Sequence, residues 1–525
     1  MNREFDLAIV GSGFGGSLLA MVARRLGRTV ALLERGTHPR FVIGESSTPL
    51  ANLLLEELAD AYGLPRLKPL VKWGAWRAAY PDLPVGLKRG FTFFHHRLGE
   101  AFTDDTTRGR QLLVAASPHD GIADTHWYRP AFDHFLVREA EALGVEYRDR
   151  CEVMEVKVSP AGAALTCRRD GREEMLQARF VADAGNNPRG VLARSLGLAE
   201  RPAPTMPATQ ALYAHFHGVR RLDALPITPA IASAPYPADD AAVHHCFPGG
   251  WIWVLRFDHG ITSAGVAAED ALARKLNLAE GAPAWARLLA RLPTVRAQFA
   301  GAEPVTPFVH APRLTFGVGP AAGPGWALLP SAAGFVDPMM STGFTLTLLG
   351  IHRLARAFQE AWGTPALAAH LATYADDTRA DWAAVERLLG ALYASLGDPA
   401  AFNEVARLYF AAVIYGETAR RLGRPEVAGG LLLRSHPEFG PALKELGLLA
   451  LHRQESSGLD RSRHAAALGA GVAALLARCD LGGLADLDRR NWHPVLAADL
   501  LDHRGRIGAT EAECRALLAR AGFVG

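Results

Sequence analysis

The residues best spaced for chemistry stand ten positions from the amino terminus, at Gly11-Ser12-Gly13-Phe14-Gly15-Gly16. Gly11 permits a tight turn, Gly13 lets a pyrophosphate approach the backbone, and Gly16 lets a helix pack closely on a sheet. Free N–H groups and the partial positive charge at the start of that helix attract phosphate. Glu34, about twenty positions on, is placed to accept hydrogen bonds from an adenosine ribose. This is dinucleotide-binding chemistry. The loop alone does not separate FAD from NAD, and a bare GxGxxG also occurs as an ordinary glycine turn.

Regular elements must position these groups. Residues 5–10 read as an apolar strand, 17–26 as a helix and 29–33 as a second strand ending at Glu34. An amphipathic helix is predicted over 50–62, and the Pro-, Gly-, aromatic- and His-rich stretch 65–125 reads as irregular loops with strands. A helix follows over 134–143, then strands near 151–158, 163–168 and 177–182. Strand-like alternation at 210–216, 241–247, 251–257 and 262–266 predicts a mostly antiparallel sheet walling a substrate chamber. From about Thr342 the chain reads as nearly all helical, with Trp382, Val385, Leu389, Leu392 and Leu396 at helical spacing. The expected class is α/β. It comprises a Rossmann-type dinucleotide domain over 1–350, β-sheet insertions at approximately 65–125 and 200–325, and a helical carboxy-terminal region over 351–525.

Composition bounds the partners. At 525 residues, several packed units are expected. The 56 basic and 54 acidic residues leave a net charge of +2, which implies no nucleic-acid partner. Five scattered cysteines form no CxxC pair, so no zinc site or disulfide framework is expected and a reducing cytoplasm fits best. The amino terminus runs directly into a strand, so no signal peptide is expected, and no uncharged apolar run is long enough to span a membrane.

Three further segments stand in order after the glycine loop: Gly44-Glu45-Ser46, Trp251-Ile252-Trp253-Val254-Leu255, and Gly334-Phe335-Val336-Asp337-Pro338-Met339-Met340-Ser341-Thr342-Gly343. Together they resemble the FAD-dependent halogenases, within the wider flavin monooxygenase superfamily, over about residues 1–350. The resemblance implies FAD, used as FADH2, with chloride or bromide as co-substrate. It places Gly11, Gly13, Phe14, Gly15, Gly16, Glu34, Arg35, Glu45, Ser46, Arg129, Val153, Ser331, Asp337 and Phe344 around the cofactor. Backbone N–H groups of Thr342 and Gly343 would hold the halide, and Trp251 and Trp253 would wall the substrate from the flavin. The family's catalytic lysine is matched to Lys72, in Lys72-Trp73-Gly74, with Lys68 in reserve. Hypohalous acid made at the flavin would be relayed to that lysine and polarised there.

The chain departs from the family's pattern at named positions. Arg256 stands where the WxWxIP signature has proline, and Pro330-Ser331 replaces a Gly-Asp pair. Met340 stands where tryptophan halogenases carry a glutamate, so a base for an indole is missing. A phenol needs none, because its oxygen already activates the ring. The expected reaction is therefore FADH2-dependent halogenation of a small electron-rich, phenolic-type aromatic, free or carrier-tethered. A separate flavin reductase would supply the FADH2, since no second nucleotide motif is visible.

Hydroxylating or epoxidising flavin monooxygenases, prenyl-lipid-type reductases and a flavin-binding protein without catalysis remain alternatives on the same frame. His95-His96 and His244-His245 are weighed as metal ligands, but adjacent residues on a strand face opposite sides, and no metal is expected.

Overall fold

The computed structural model describes residues 4–187, 190–225, 234–455 and 457–523. The glycine loop joins the strand Glu4–Val10 to the helix Phe14–Arg25, and the strand Val30–Leu33 follows. These strands lie at the centre of an eight-stranded sheet among the described residues. Glu4–Val10 pairs in parallel with Arg172–Asp183 on one side and Val30–Leu33 on the other, and Trp326–Leu328 and Glu146–Arg148 extend the parallel run. Parallel strands covered on both faces are expected to be apolar throughout, and Val30–Leu33 is buried at every position. The strands Cys151–Ser159 and Gly162–Arg169 form an antiparallel flap on Arg172–Asp183. The strands expected near 151–158, 163–168 and 177–182 are thus present, the first two slightly longer and the third extended to twelve residues by starting at Arg172.

A second, nine-stranded sheet is mixed. Thr209–His217, Thr262–Glu269, Gly250–Arg256 and Ala242–Phe247 run antiparallel in that order, then Ala242–Phe247 pairs in parallel with Gly90–His95. The stretch 65–125 is more regular than its composition suggested, holding a 3-10 turn at Pro65–Val71 and a helix at Trp73–Ala79. Buried Trp76, stacked 5.4 Å from Phe132, anchors that helix to the helix Arg129–Ala142. Helices at Asp270–Leu276, Ala282–Ala290 and Pro293–Gln298 pack on the outer face of the second sheet, within the insertion expected at approximately 200–325.

Beyond Ser341 the described residues are mostly helical, apart from the short strand Trp492–His493, which joins the second sheet beside Gln111–Ala115. Thr342–Ala361, Leu367–Ala394 and Pro399–Arg421 carry broad buried faces, and Asp398 caps the third by accepting from the Ala401 N–H at 3.2 Å. The first packs with the dinucleotide domain's core, and the next two cover the inner face of the second sheet. No described helix is long and apolar enough to cross a membrane.

Candidate active site

The glycine loop is built for a close approach. Gly11 sits at φ +98°, a left-handed conformation that side chains disfavour, and a Cβ on Gly16 would collide with the Gly11 carbonyl oxygen. The helix starting at Phe14 has no side-chain cap, so its first N–H groups are left for a ligand. Glu34 accepts from the N–H and hydroxyl of Ser12 at 3.2 and 3.0 Å and pairs with Arg40 at 3.3 Å. Burial would raise its pKa, but Arg40 and the N–H groups of Gly36 and Ser12 outweigh that and leave it lowered.

Phe14, Glu45, Ser46, Arg129, Trp251, Trp253, Ser331, Asp337, Thr342, Gly343 and Phe344 all line one cavity of about 320 Å³. Segments hundreds of positions apart meet there. Arg129 pairs with Asp133 through two 2.8 Å bonds and donates to the Gly44 carbonyl at 2.9 Å, which ties the helix Arg129–Ala142 to the Gly44-Glu45-Ser46 loop. Two of the lining residues carry a buried oxygen without a protein partner, Ser46 Oγ and Glu45 Oε2. Glu45 Oε1 is bonded to His215 Nε2 at 2.9 Å. Such orphaned polar atoms beside the glycine cradle fit a ligand with a phosphate end and a hydrogen-bonding ring. Arg35 is exposed and Val153 lies in the antiparallel flap; neither lines this cavity.

The turn before the helix Thr342–Ala361 is held from below. Ser341 sits at φ 53°, with no side-chain cap on the helix. Asp337 lines the cavity, but the protein holds both its oxygens: Oδ1 accepts the Met339 N–H at 3.0 Å and Oδ2 the Tyr393 hydroxyl at 2.7 Å. Asp337 therefore shapes the turn. Burial raises its pKa to about 7, against the pull of the Tyr393 and Met339 donors. Arg256 points away from the cavity and pairs with Asp239 at 2.7 Å, so the residue that replaces the signature proline serves the far end of the strand. His244 lines the cavity, whereas His245 faces the other side of the sheet, bonded to His96 and Gln298 at 2.9 Å each.

Lys72 is not brought to this cavity. It is half-buried at the junction of Pro65–Val71 and Trp73–Ala79 and lines a second cavity of about 150 Å³. Lys68 is exposed and paired with Asp60 at 2.6 Å. The buried lysine is Lys88, which the sequence reading passed over. It has no exposed surface, donates to the Ser47 carbonyl, and lies 3.8 Å over the Phe91 ring. Burial lowers its pKa far below the ordinary lysine value, and Asp124 opposes that shift. One signal was available, because Lys88 is a charge set between Val85 and the buried aromatics Phe91, Phe93 and Phe94.

Lys88 lines neither cavity itself, but residues next to its contacts do. Ser46, next to its acceptor Ser47, lines the first. Phe91 and Thr342 both line a narrow space of about 40 Å³, and Thr342 also lines the first cavity. That space shares Pro49, Val114, Ile414 and Glu417 with the second cavity, whose outer wall is built from residues 481–523 of the tail.

The profile described as tryptophan halogenase matches residues 125–401, more than half of the chain. The chain therefore belongs to the tryptophan halogenase family. Among its relatives, monodechloroaminopyrrolnitrin halogenase PrnC of Pseudomonas fluorescens is 29% identical over 360 residues, covering 67% of this chain and 61% of that one. The chain thus spans less than two thirds of that relative's length. Tetracycline 7-halogenase of Kitasatospora aureofaciens is 27% identical over 431 residues, covering 79% of this chain and 74% of that one. Among solved structures, a point mutant of halogenase PltM in complex with FAD superposes with a TM-score of 0.82 at 21% identity, covering 93% of this chain and 99% of that one. That structure shares the fold. Membership settles the dinucleotide as FAD, which the glycine loop alone left open.

Proposed function

We propose that this chain is a flavin-dependent halogenase that installs chloride or bromide on an electron-rich, phenolic-type ring, with Lys88 rather than Lys72 handling the halogen. The observation that carries this reading is the burial of Lys88, a lysine with no exposed surface whose acceptor Ser47 adjoins a residue of the first cavity and whose cross-strand partner Asp124 lines the second. Bound in reduced form, FAD would supply the electrons with which dioxygen and halide become hypohalous acid. The glycine loop and Arg129 hold the phosphates, and Ser46 and Glu45 present their free oxygens to the ring system. Thr342 and Gly343 offer uncapped N–H groups to a halide at the head of a twenty-residue helix. Lys88 hydrogen-bonds the arriving acid and makes the halogen more electrophilic; its desolvation strengthens that bond.

Fully buried Met340, next to the Ser-Thr-Gly turn, brings no base there, which favours a self-activated ring. A crystal structure of halogenase PltM holds phloroglucinol, a phenol, with FAD. The reduced flavin would come from a separate reductase, and the substrate would be free or carrier-tethered.

The test is product mass with a reductase, bromide and phloroglucinol. Wild type should give the bromine isotope pattern. Lys88→Met should lose it while still consuming reduced flavin, and Lys72→Ala should keep it. A product heavier by one oxygen, without halogen, would mark a monooxygenase. Full bromination by Lys88→Met would remove the lysine from the mechanism.

A further inference from the structure

Lys88 and Asp124 are direct cross-strand partners in the two-stranded antiparallel ribbon Val85–Lys88 and Asp124–Trp127. Their side chains therefore leave the same face, about 5 Å apart at Cβ. Asp124 is 4% exposed. Its Oδ1 accepts from Asn52 Nδ2 at 2.8 Å, and its Oδ2 has no hydrogen-bond partner. The Lys88 ammonium is directed to Ser47 and the Phe91 face, so it does not bond that oxygen. Asp124 lines the second cavity, together with apolar Val114 and Ile414 and charged Lys72, Glu417 and Arg421. A buried carboxylate oxygen left unbonded costs about 1–3 kcal/mol, so a donor from the cavity is the missing partner.

We propose that Asp124, aimed by Asn52, is the catalytic carboxylate that accepts the hydroxyl hydrogen of a phenolic substrate in the second cavity. The proposal rests on the halogenase reading above and deepens it. A single ring spans the gap, with its hydroxyl on Asp124 Oδ2 and a ring carbon toward Lys88. As the ring carbon bonds the halogen of hypohalous acid, the O–halogen bond breaks. The leaving hydroxide takes a proton from Lys88 and becomes water, while the phenolic proton passes to Asp124. The ring C–H bond then breaks, its electrons restore aromaticity and its proton returns to Lys88. Asp124 gives its proton back to the oxygen. The sum is a phenol and hypohalous acid giving a halophenol and water.

Substrates and variants together test this. Phloroglucinol and 1,3,5-trimethoxybenzene are both electron-rich, but only the first carries O–H. Asp124→Asn should lower kcat on phloroglucinol by about 10²-fold, with reduced-flavin oxidation and bromide dependence unchanged. It should slow the already slow reaction of the trimethoxy ring far less, because that ring has no hydroxyl hydrogen to give. In the absence of turnover, 4-nitrophenol bound to wild type should show a red-shifted absorbance that Asp124→Asn loses and Asp124→Glu partly keeps. Wild-type kcat in Asp124→Asn, or an equal loss on both rings, would overturn the role of Asp124 alone. A wild type that oxidises reduced flavin with bromide yet halogenates no ring would overturn the halogenase reading and this inference with it.

Discussion

Tyr393 donates its hydroxyl hydrogen to Asp337 at 2.7 Å while its oxygen accepts the Trp251 indole N–H at 3.1 Å. One buried hydroxyl thus joins the tail helix Leu367–Ala394, the tryptophan strand and the turn before Thr342. Tyr409, also from the tail, donates to the Met340 carbonyl at 2.7 Å. Together these bonds hold Ser341 at a positive φ that side chains resist by about 1–2 kcal/mol. The first tryptophan of the signature is therefore linked to the turn beside the flavin cavity, in addition to forming part of the cavity wall.

Tyr393→Phe tests that linkage. It leaves Asp337 Oδ2 and the Trp251 N–H unpartnered in the core, at a cost of about 1–3 kcal/mol, so the melting temperature should fall. If the turn presents the halide, the bromide concentration for half-maximal rate should rise several-fold with little change in saturating kcat. An unchanged bromide dependence at a lowered melting temperature would show that the hydroxyl supports the core alone.

Asp337 also makes stability depend on pH. Its folded pKa of about 7 lies above the ordinary carboxyl value, so the folded state holds a proton that the unfolded chain has released. Stability from this group is complete below the unfolded pKa near 4 and is lost as pH rises toward 7, by up to about 1.4 kcal/mol per unit. Asp337→Asn cannot titrate, and its amide can still accept from Met339. Melting temperatures measured from pH 4.5 to 8 should fall less for the variant than for wild type across pH 5 to 7. Parallel curves would place the proton elsewhere.

The cradle was legible because its signals are local: a strand, glycines at fixed offsets, a helix and Glu34 within about thirty residues. The first cavity was legible through four motifs that the resemblance put in order. Lys88 and Asp124 were not. Each is an ordinary residue in a loop-like stretch, and only the pairing of Val85–Lys88 with Asp124–Trp127 sets them opposite one another. Lys72 stands in a local pattern that fitted the expectation better, yet the turn at Val71 directs it to the second cavity. The tail's part in closing that cavity depends on Ile414 and Leu517 lining it together with Val114, some 300 to 400 positions away, which periodicity cannot report.

Arg256 separates structural from chemical roles within the signature. Its guanidinium pairs with Asp239, a carboxylate 2% exposed, and donates to the Val219 carbonyl at 2.9 Å. Arg256→Ala strands that buried charge, so chemical denaturation should show a loss of about 3 kcal/mol. The surviving folded protein should give the same halogenated product at the same position, because Arg256 does not line the flavin cavity. A change in the position of substitution would connect this pair to the substrate.

Two helix starts without side-chain caps face the flavin cavity, one at Gly13-Phe14 and one at Ser341-Thr342, with the Phe14 and Phe344 rings 4.8 Å apart between them. Each presents unpaired N–H groups and a positive dipole end, so by electrostatics alone both attract anions. Their neighbourhoods differ. The first has Arg129 5.1 Å over the Phe14 ring and a glycine loop open to a pyrophosphate, while the second has Arg129 farther off, 5.9 Å from the Phe344 ring, and a tight turn suited to a small monovalent ion. Removing FAD should therefore expose the site at Gly13-Phe14, while the site at Thr342 is open in either form. Crystals of the FAD-bound protein soaked in bromide should show one anomalous peak in this cavity, within hydrogen-bonding distance of the Thr342 and Gly343 nitrogens. Crystals of FAD-free protein should show that peak and another at Gly13-Phe14. Absence of density at Gly343 in both would take the halide away from this helix and leave the turn with only its structural role.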